Sequence, residues 1–385
     1  MKKRIVCLLC ILLLVLGLGG VTAWAEEDTV SQTQEELMQE QYDAVGADDL
    51  ASNLPDNVQD SLEKNGLDSP SSDKIISFSI GDFFSNLWGT ITDTVKQPLG
   101  LLAISFGVML LCALLESFKS TVDSSLSNVF SMVAVLAVCG TVIQPVIRCI
   151  QMAADTITGA GNFMLCFIPV FTGIVTASGM PVSGLGYNTA LFATIQVISK
   201  IVSTVLLPFL GIFLALSIVS AVSGQFKISK LTATVKKTVV WSVSLLLTIF
   251  IGIFSTQSMV AASADTVTVK ATKFMVGSFI PVVGGAISDA LNSVQGCLGL
   301  MKSSIGAFGI LACVFTFLPA ILTVLFYMLV LKISSAAGSL FGLSGVTEIF
   351  DAVYDALSIL MAFLICYSLL TIVTTTLMIS MSSGG

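Results

Sequence analysis

The sequence of 385 residues contains no histidine. Histidine titrates near neutral pH and is the commonest metal ligand, so its absence excludes His-based acid–base catalysis, His-assisted nucleophiles and His metal sites. A Walker A motif and a dinucleotide-binding fingerprint are also absent from the sequence. We therefore expect a protein that is not an enzyme and binds no cofactor, and whose energy source, where one is used, is another protein.

Charged residues are scarce. They make up 11% of the chain against 55% hydrophobic residues, and the mean hydropathy is +0.96, well above that of soluble domains. The apolar runs are continuous and about 20 residues long, whereas barrel strands would be shorter and would alternate. The composition predicts an all-α polytopic membrane protein.

Cysteines are scattered through apolar segments, and the one CxxC pattern, Cys7 to Cys10, falls in the N-terminal apolar run. Neither a disulfide framework nor a zinc site is predicted. Residues 1–25 have the three parts of a secretory signal peptide: the basic start Lys2–Arg4, an apolar core, and small residues Ala23 and Ala25 at a cleavage site. An uncleaved anchor helix is the alternative. With either, the following region is expected to be extracytoplasmic.

Residues 26–75 are strongly acidic. They carry 14 acidic side chains against Lys64 and Lys74, a net charge of −12. With few aromatic residues and the sequence SPSSD at 69–73, this segment is typical of a disordered, solvated linker. A docking segment for a partner is the alternative interpretation.

Residues 76–97 place apolar side chains at helical spacing, among them Phe83, Phe84 and Trp88. This pattern predicts an amphipathic helix lying in the membrane interface, where tryptophan is enriched. A core helix of a small soluble domain would show the same periodicity.

Residues 98–385 are predicted to form a multi-span membrane domain. The candidate spans are Pro98–Leu115, Asn128–Ile147, Phe163–Met180, Leu185–Ser199, Ile201–Val222, Thr238–Val260, Phe274–Ser288, Ser303–Leu331 and Leu357–Ser380. The loop at 223–237 has four lysines and no acid, so the positive-inside rule places it in the cytoplasm. Between residue 151 and this loop the chain crosses either three times, or once after a re-entrant hairpin.

The sequence also contains short motifs that occur twice at nearly constant spacing. Phe-Met, Ile-Pro-Val, Ala-Asp-Thr and a Leu-Pro pair each recur after 110 to 112 residues. We expect two parallel repeats, at about 128–237 and 238–347, related by an axis along the membrane normal. Each would contain an external loop, with Asp155 and Thr156 in the first and Asp265 and Thr266 in the second, whose side chains could also serve as N-caps.

Helix-breaking residues occupy matching places in the two repeats. They are Pro169, Gly173, Gly179 and Pro208 in the first, and Pro281, Gly284, Gly285 and Pro319 in the second. Short Gly/Pro-broken helices, re-entrant or fully crossing, would expose backbone that lines a path. Alternatively, the prolines are kinks and the glycines are close-packing contacts.

Four ionisable residues fall near membrane depth: Arg148, Lys200, Asp289 and Lys302. Charge in hydrocarbon is unfavourable and suggests function. Each of the four adjoins a break between apolar segments, however, so we expect them to reach the interface.

The segment IPVFTGIVTASGMPVSG at 168–184, with the signal peptide, the acidic region and the polytopic remainder, resembles the stage III sporulation protein AE family of endospore-forming Firmicutes. The resemblance covers essentially the whole chain. It implies a place in the mother-cell membrane around the engulfed forespore, with the N-terminal region extracytoplasmic. It also implies membership of a secretion-like channel with a cytosolic ATPase and ring-forming membrane proteins as partners.

The function expected from this resemblance is that of a membrane-embedded subunit of a sporulation-specific channel, needed for late forespore development. Two alternatives fit the repeats and broken helices: a stand-alone secondary transporter for a small solute, and a non-conducting assembly scaffold. No nucleic-acid partner is expected.

Overall fold

A computed structural model describes residue 42 and residues 46–118, 124–223, 229–279 and 284–380. The described chain is helical and has no β-strand, which confirms the all-α prediction. After a short 3-10 helix, Asp48–Asn53, the helices in chain order are α1 Asp56–Glu63, α2 Ser72–Ile76, α3 Ile80–Phe118, α4 Ser124–Ala177, α5 Pro181–Ile201, α6 Leu207–Ser223, α7 Ser229–Phe279, α8 Gly284–Leu340 and α9 Ser344–Ser380. A π-helical segment, Val202–Leu206, joins α5 to α6.

Most helices are longer than the predicted spans. Among the residues that the structure describes, five helices are long and apolar enough to cross a membrane: Thr94–Leu114, Met132–Ala177, Ala233–Ala271, Val294–Leu340 and Ser344–Leu377. Prolines 98, 145, 169 and 319 lie inside helices rather than between them. Proline removes only one backbone hydrogen bond, and an apolar environment stabilises continuation of the helix around it. The predicted division into separate spans at 128–147 and 163–180, and at 274–288 and 303–331, is therefore wrong.

The two repeated Ala-Asp-Thr segments are helical. The first lies within α4 and the second within α7, so the prediction of loops there is wrong. Each predicted repeat unit begins with a long helix, α4 or α7, but the first continues as α5, the π segment and α6, and the second as α8 alone. The internal repeat and the re-entrant helices stay predictions.

Helices α4, α8 and α9 form the centre of the bundle, and α8 and α9 share the most extensive contact. Phe83 of α3 packs edge-on against Phe315 of α8, with ring centroids 5.4 Å apart, and Met109 lies near Gly338. The sequence numbers rise together in the two helices, so α3 and α8 run parallel. In α9, Asp351 pairs with Lys332 of α8 and Tyr367 packs on Phe317, so α9 is antiparallel to α8.

One end of the bundle concentrates charge, and we call it the lysine end. Lys236 pairs with Asp355, Lys332 pairs with Asp351 at 2.8 Å, and each lysine Nζ lies 4.7 Å from the centroid of the Tyr354 ring between them. Lys236 at this end belongs to the lysine-rich sequence 223–237. Its cytoplasmic location stays a prediction of the positive-inside rule.

The acidic segment is ordered over residues 46–76, which we call the N-terminal cap. Its apolar side chains are buried at Leu50, Leu54, Val58, Leu62 and Leu67. The cap packs on α4 and α8, where Ser72 Oγ lies 2.7 Å from Ser304 Oγ. The prediction of a disordered linker is wrong for this part, because leucines spaced about one helical turn apart stabilise it despite its net charge.

Residues 80–97 form helix, as predicted, but residues 77–79 do not. The helix is the start of α3 and does not end before Pro98. Trp88 is 69% exposed and Phe84 53% exposed, while Phe83 packs inward. The predicted boundary at residue 97 is wrong. The signal peptide, with Ala23 and Ala25, lies outside the described residues.

Candidate functional site: the hairpin turn between α4 and α5

Helices α4 and α5 are joined by a tight turn, Ser178–Met180, which we call the hairpin turn. The Gly179 N–H donates to Thr176 O at 3.1 Å and the Met180 N–H to Val175 O at 3.2 Å, the two bonds of a Schellman motif. Gly179 has φ +89°, and a Cβ there would lie 3.2 Å from Val269 Cγ2. Both the left-handed backbone and the close neighbour require glycine at this position.

Asp265 of α7 caps the helix that follows the turn. Helix α5 begins with Pro181, and the Val182 and Ser183 N–H groups donate to Asp265 Oδ1 and Oδ2 at 2.9 and 2.8 Å. Met180, at the N-cap position, has no oxygen in its side chain to accept these bonds, so a carboxylate from another helix replaces the usual local cap. The carboxylate also carries the charge that a helix N-terminus favours.

Asp265 is only 1% exposed. Asp265 thus acts as an N-cap, but of α5 and not of the predicted short element of its own repeat. Its repeat counterpart, Asp155, is exposed on α4. The two matched aspartates therefore occupy different environments.

Lys302 approaches the hairpin turn from α8. Its side chain is fully buried, and its Nζ lies 4.0 Å from Met180 Sδ. No carboxylate oxygen among the described residues forms an ion pair with it. Lys302 lies on the packed face of α8, beside buried Met301, Ser304 and Ile305, so its side chain is enclosed by protein. Its interfacial depth stays a prediction.

A second α8 side chain, Gln295, lies against the same turn, with its Nε2 3.3 Å from the position of a Cβ at Gly179. The turn is thus contacted by a carboxylate from α7 and by an amide and an ammonium from α8. Two neighbouring hydroxyls, Thr172 Oγ1 and Ser183 Oγ, are buried and have no hydrogen-bond partner within the described part of the chain. Burying a charged group is unfavourable, which makes a buried ionisable group a candidate functional site, and here two of opposite sign flank one turn.

A row of aromatic rings packs between the helices of the hairpin and extends to α7. The rings of Phe163, Phe167, Phe171, Tyr187 and Phe254 follow one another at centroid distances of 5.7, 5.3, 5.4 and 6.0 Å. A Cβ on Gly309 of α8 would overlap the Phe167 ring, and a Cβ on Gly306 would lie 2.5 Å from Ile379 Cδ1 of α9 and 3.3 Å from Phe171 Cε2. Small residues here let α4 and α8 approach each other.

The other predicted site residues lie apart from the turn. Pro169 and Gly173 are exposed within α4, Thr156 lies in α4 and Thr266 in α7, Pro208 is the second residue of α6, and Pro319 lies within α8. Gly284 and Gly285 begin α8, and Pro281 lies outside the described residues. Arg148 and Lys200 are exposed. Of the predicted Gly and Pro positions that the structure describes, Gly179 alone belongs to the cluster around Asp265.

The arrangement holds the start of α5 against α7 and α8. In the part of the chain that the structure describes, no group of three or more His, Cys, Asp or Glu side chains could hold a metal ion. The buried lysine was visible in the sequence as the single charge in residues 290–331, but periodicity did not indicate which face of the helix it occupies.

The stage III sporulation protein AE family model matches residues 65–382. The chain belongs to this family. It is 25% identical over 307 residues to stage III sporulation protein AE of Bacillus subtilis (strain 168), an alignment that covers 79% of this chain and 76% of that protein. No solved structure matches the chain.

The family match contains the whole bundle from α2 to α9, including Gly179, Asp265 and Lys302. Membership confirms the resemblance drawn from the sequence and supports a role in sporulation. The region of the predicted signal peptide lies outside the match.

Proposed function

We propose that this family member is the multi-pass membrane subunit of a sporulation-specific, secretion-like channel between mother cell and forespore, needed for late forespore development. It would lie in the mother-cell membrane around the forespore with its N-terminal region extracytoplasmic. Its role would be non-enzymatic, with a cytosolic ATPase and ring-forming membrane proteins as partners. Family membership supports the sporulation role, and the five long apolar helices support a multi-pass membrane protein.

The proposal that it works as a subunit depends on the length of α7. Its apolar stretch Ala233–Ala271 has 39 residues, which at 1.5 Å per residue is about 58 Å. The hydrocarbon core is about 30 Å thick. Even at a tilt of about 40°, the upper end of the usual range, roughly 26 residues cross it. Counted from Lys236 at the lysine end, the hydrocarbon therefore ends by about residue 262.

Large apolar side chains continue beyond that point. Val267 is 69% exposed, Phe274 75% and Met275 53%, and exposed Lys270 between them agrees with a position outside hydrocarbon. Lipid tails cannot cover these side chains, and exposed apolar patches of this kind mark protein contacts. This surface supports a protein that works within an assembly more than it supports a stand-alone transporter.

The test is photo-crosslinking in sporulating cells of the native host, with a photoreactive amino acid at Val267 or Phe274. Matched controls are Leu246 and Ile253, each 61% exposed on the same helix within the first 26 residues. We expect protein adducts at 267 and 274 and lipid adducts at 246 and 253. Mass spectrometry would identify the captured proteins. Lipid adducts alone at all four positions would contradict the proposal.

Val267→Glu and Phe274→Glu provide a functional readout. We expect both to reduce spore formation while the variant chains accumulate normally in the membrane. Normal spore counts in both variants would count against assembly through this surface. Solute transport by the purified chain alone in liposomes would favour the transporter alternative.

A further inference from the structure

A cavity of about 430 Å³ separates the N-terminal cap from α4. Its lining combines cap residues, one face of α4 and one residue of α8: Pro55, Asn57, Val58, Arg148, Gln151, Met152, Asp155, Thr156 and Thr316. The cavity lies away from the hairpin turn and involves neither Asp265 nor Lys302. Its polar lining includes two opposite charges.

Arg148 and Asp155 are seven residues apart on α4, so they lie on the same face about 10.5 Å apart along the helix axis. Both side chains are exposed. Neither forms an ion pair with any residue that the structure describes. Gln151 lies one turn from each, and Asn57 adds an amide from the cap. The cavity therefore presents a guanidinium and a carboxylate, both available to a ligand.

The cavity lies away from the lysine end and near an exposed aromatic side chain. Thr316 in its wall is 16 residues from Lys332 at the lysine end, or about 24 Å along α8. Its neighbour Phe315 contacts Phe83, and exposed Trp88 follows little more than one turn later on α3. Exposed tryptophan is typical of the membrane interface, where lipid head groups are found.

We propose that this cavity binds a zwitterion that carries a phosphate and a primary ammonium group, the chemistry of a phosphoethanolamine head group. Arg148 donates two parallel hydrogen bonds to phosphate oxygens, a geometry that guanidinium provides and lysine does not. Asp155 accepts from the ammonium, and Gln151 between them bonds to either group. A purely anionic head group would gain the contact to Arg148 but would be repelled by Asp155.

The full chain, purified in mild detergent, is titrated with phosphatidylethanolamine or phosphatidylglycerol, and bound lipid is counted by native mass spectrometry. We expect phosphatidylethanolamine to bind about tenfold more tightly, which corresponds to one charge-assisted contact. Arg148→Gln should weaken both lipids. Asp155→Asn should weaken binding of phosphatidylethanolamine, because it removes the attraction to the ammonium. It should strengthen binding of phosphatidylglycerol, because it removes the repulsion of the phosphate.

Matched controls are Lys270→Gln on α7 and Asp49→Asn in the cap, both exposed and outside the cavity. Each should change binding less than twofold, and all variants should keep the wild-type melting temperature in lipid-free detergent. Equal binding of the two lipids to the wild type, or cavity variants that behave like the controls, would overturn the proposal. If the site attracts only anions, Asp155→Asn should strengthen binding of both lipids, and this result would also overturn the proposal.

Soluble phosphoethanolamine distinguishes the two sources of this chemistry. Competition with the lipid at millimolar concentration would show that the head group suffices, so that a free zwitterionic solute is an equally good ligand. Binding of phosphatidylethanolamine without such competition would assign the site to the lipid. Both results support the zwitterion site.

Discussion

Replacement of Asp265 by alanine tests how much its carboxylate stabilises the start of α5 at the hairpin turn. The carboxylate accepts the Val182 and Ser183 N–H bonds at 2.9 and 2.8 Å and is 1% exposed. Each buried donor left without an acceptor costs about 1–3 kcal/mol. With two donors and some entry of water, Asp265→Ala should lower the free energy of unfolding by roughly 2–4 kcal/mol. Asp265→Asn keeps one acceptor oxygen, so about half of this loss is expected.

Two measurements check this expectation in detergent without added phospholipid. Equilibrium unfolding gives the total loss, and hydrogen exchange of the peptide that begins α5 gives the local one. A local loss of about 2 kcal/mol corresponds to roughly 30-fold faster exchange at the Val182 and Ser183 amides. Exchange within the middle of α4 should not change.

Asp155→Ala is the matched control, because Asp155 holds the same place in the other predicted repeat but is exposed. Its loss should stay below about 0.5 kcal/mol. Equal losses for the two alanine variants, or unchanged exchange at Val182 and Ser183 in Asp265→Ala, would refute the reasoning that the carboxylate holds α5 in place.

Three further substitutions have defined outcomes. Gly179→Ala should lower the free energy of unfolding by about 1–3 kcal/mol, because Gly179 has a positive φ. Gly173 is helical with open space around its Cα, so Gly173→Ala should leave stability unchanged or raise it by up to about 1 kcal/mol. Equal melting temperatures for the two variants would contradict this. Lys302→Met should raise the free energy of unfolding by about 1 kcal/mol or more, because it replaces a buried charge that forms no ion pair with a described residue by an apolar side chain of similar length. A lower stability would contradict this and reveal a partner for the ammonium group. The Lys74 hydrogen bond at 2.6 Å lowers the pKa of Asp68 below its ordinary value of 3.8, so this pair stabilises the fold above about pH 4 and is lost as pH falls through the depressed pKa. Because both side chains are partly exposed, Asp68→Asn should cost less than about 1 kcal/mol at pH 7 and nothing at pH 2; a loss independent of pH would contradict the assignment.

Composition was sufficient to predict the helical membrane class. A chain with few charges and apolar runs of about 20 residues must satisfy its backbone within each segment. The family resemblance likewise followed from residues 168–184 and the layout of the chain. Helix ends were less predictable. Pro169 is a helix-breaking residue in the sequence-based prediction, yet α4 runs through it and through Pro145, because one missing hydrogen bond does not end a helix whose neighbours in the bundle stabilise it.

In the N-terminal cap the error is of the opposite kind, because the prediction missed helices that are present. It gave more weight to the net charge of the segment than to its leucines. Whether those leucines find an apolar surface depends on α4 and α8, which follow it much later in the chain. Burial of Leu50, Val58 and Leu62 is therefore a property of the tertiary structure, and hydrophobic spacing within 46–76 was the local signal for it.

The sequence by itself determined the secondary-structure class, the membrane character and the glycine that the hairpin turn requires, because these depend on composition and local backbone geometry. Only the tertiary structure decided that Asp265 caps a helix 82 residues earlier, that Lys302 faces inward, and that Arg148 and Asp155 line one cavity. Repeat symmetry predicted equal roles for Asp155 and Asp265. Their burial differs because side-chain environment is set by which helices pack together, and long-range packing is not encoded in the period of a single helix.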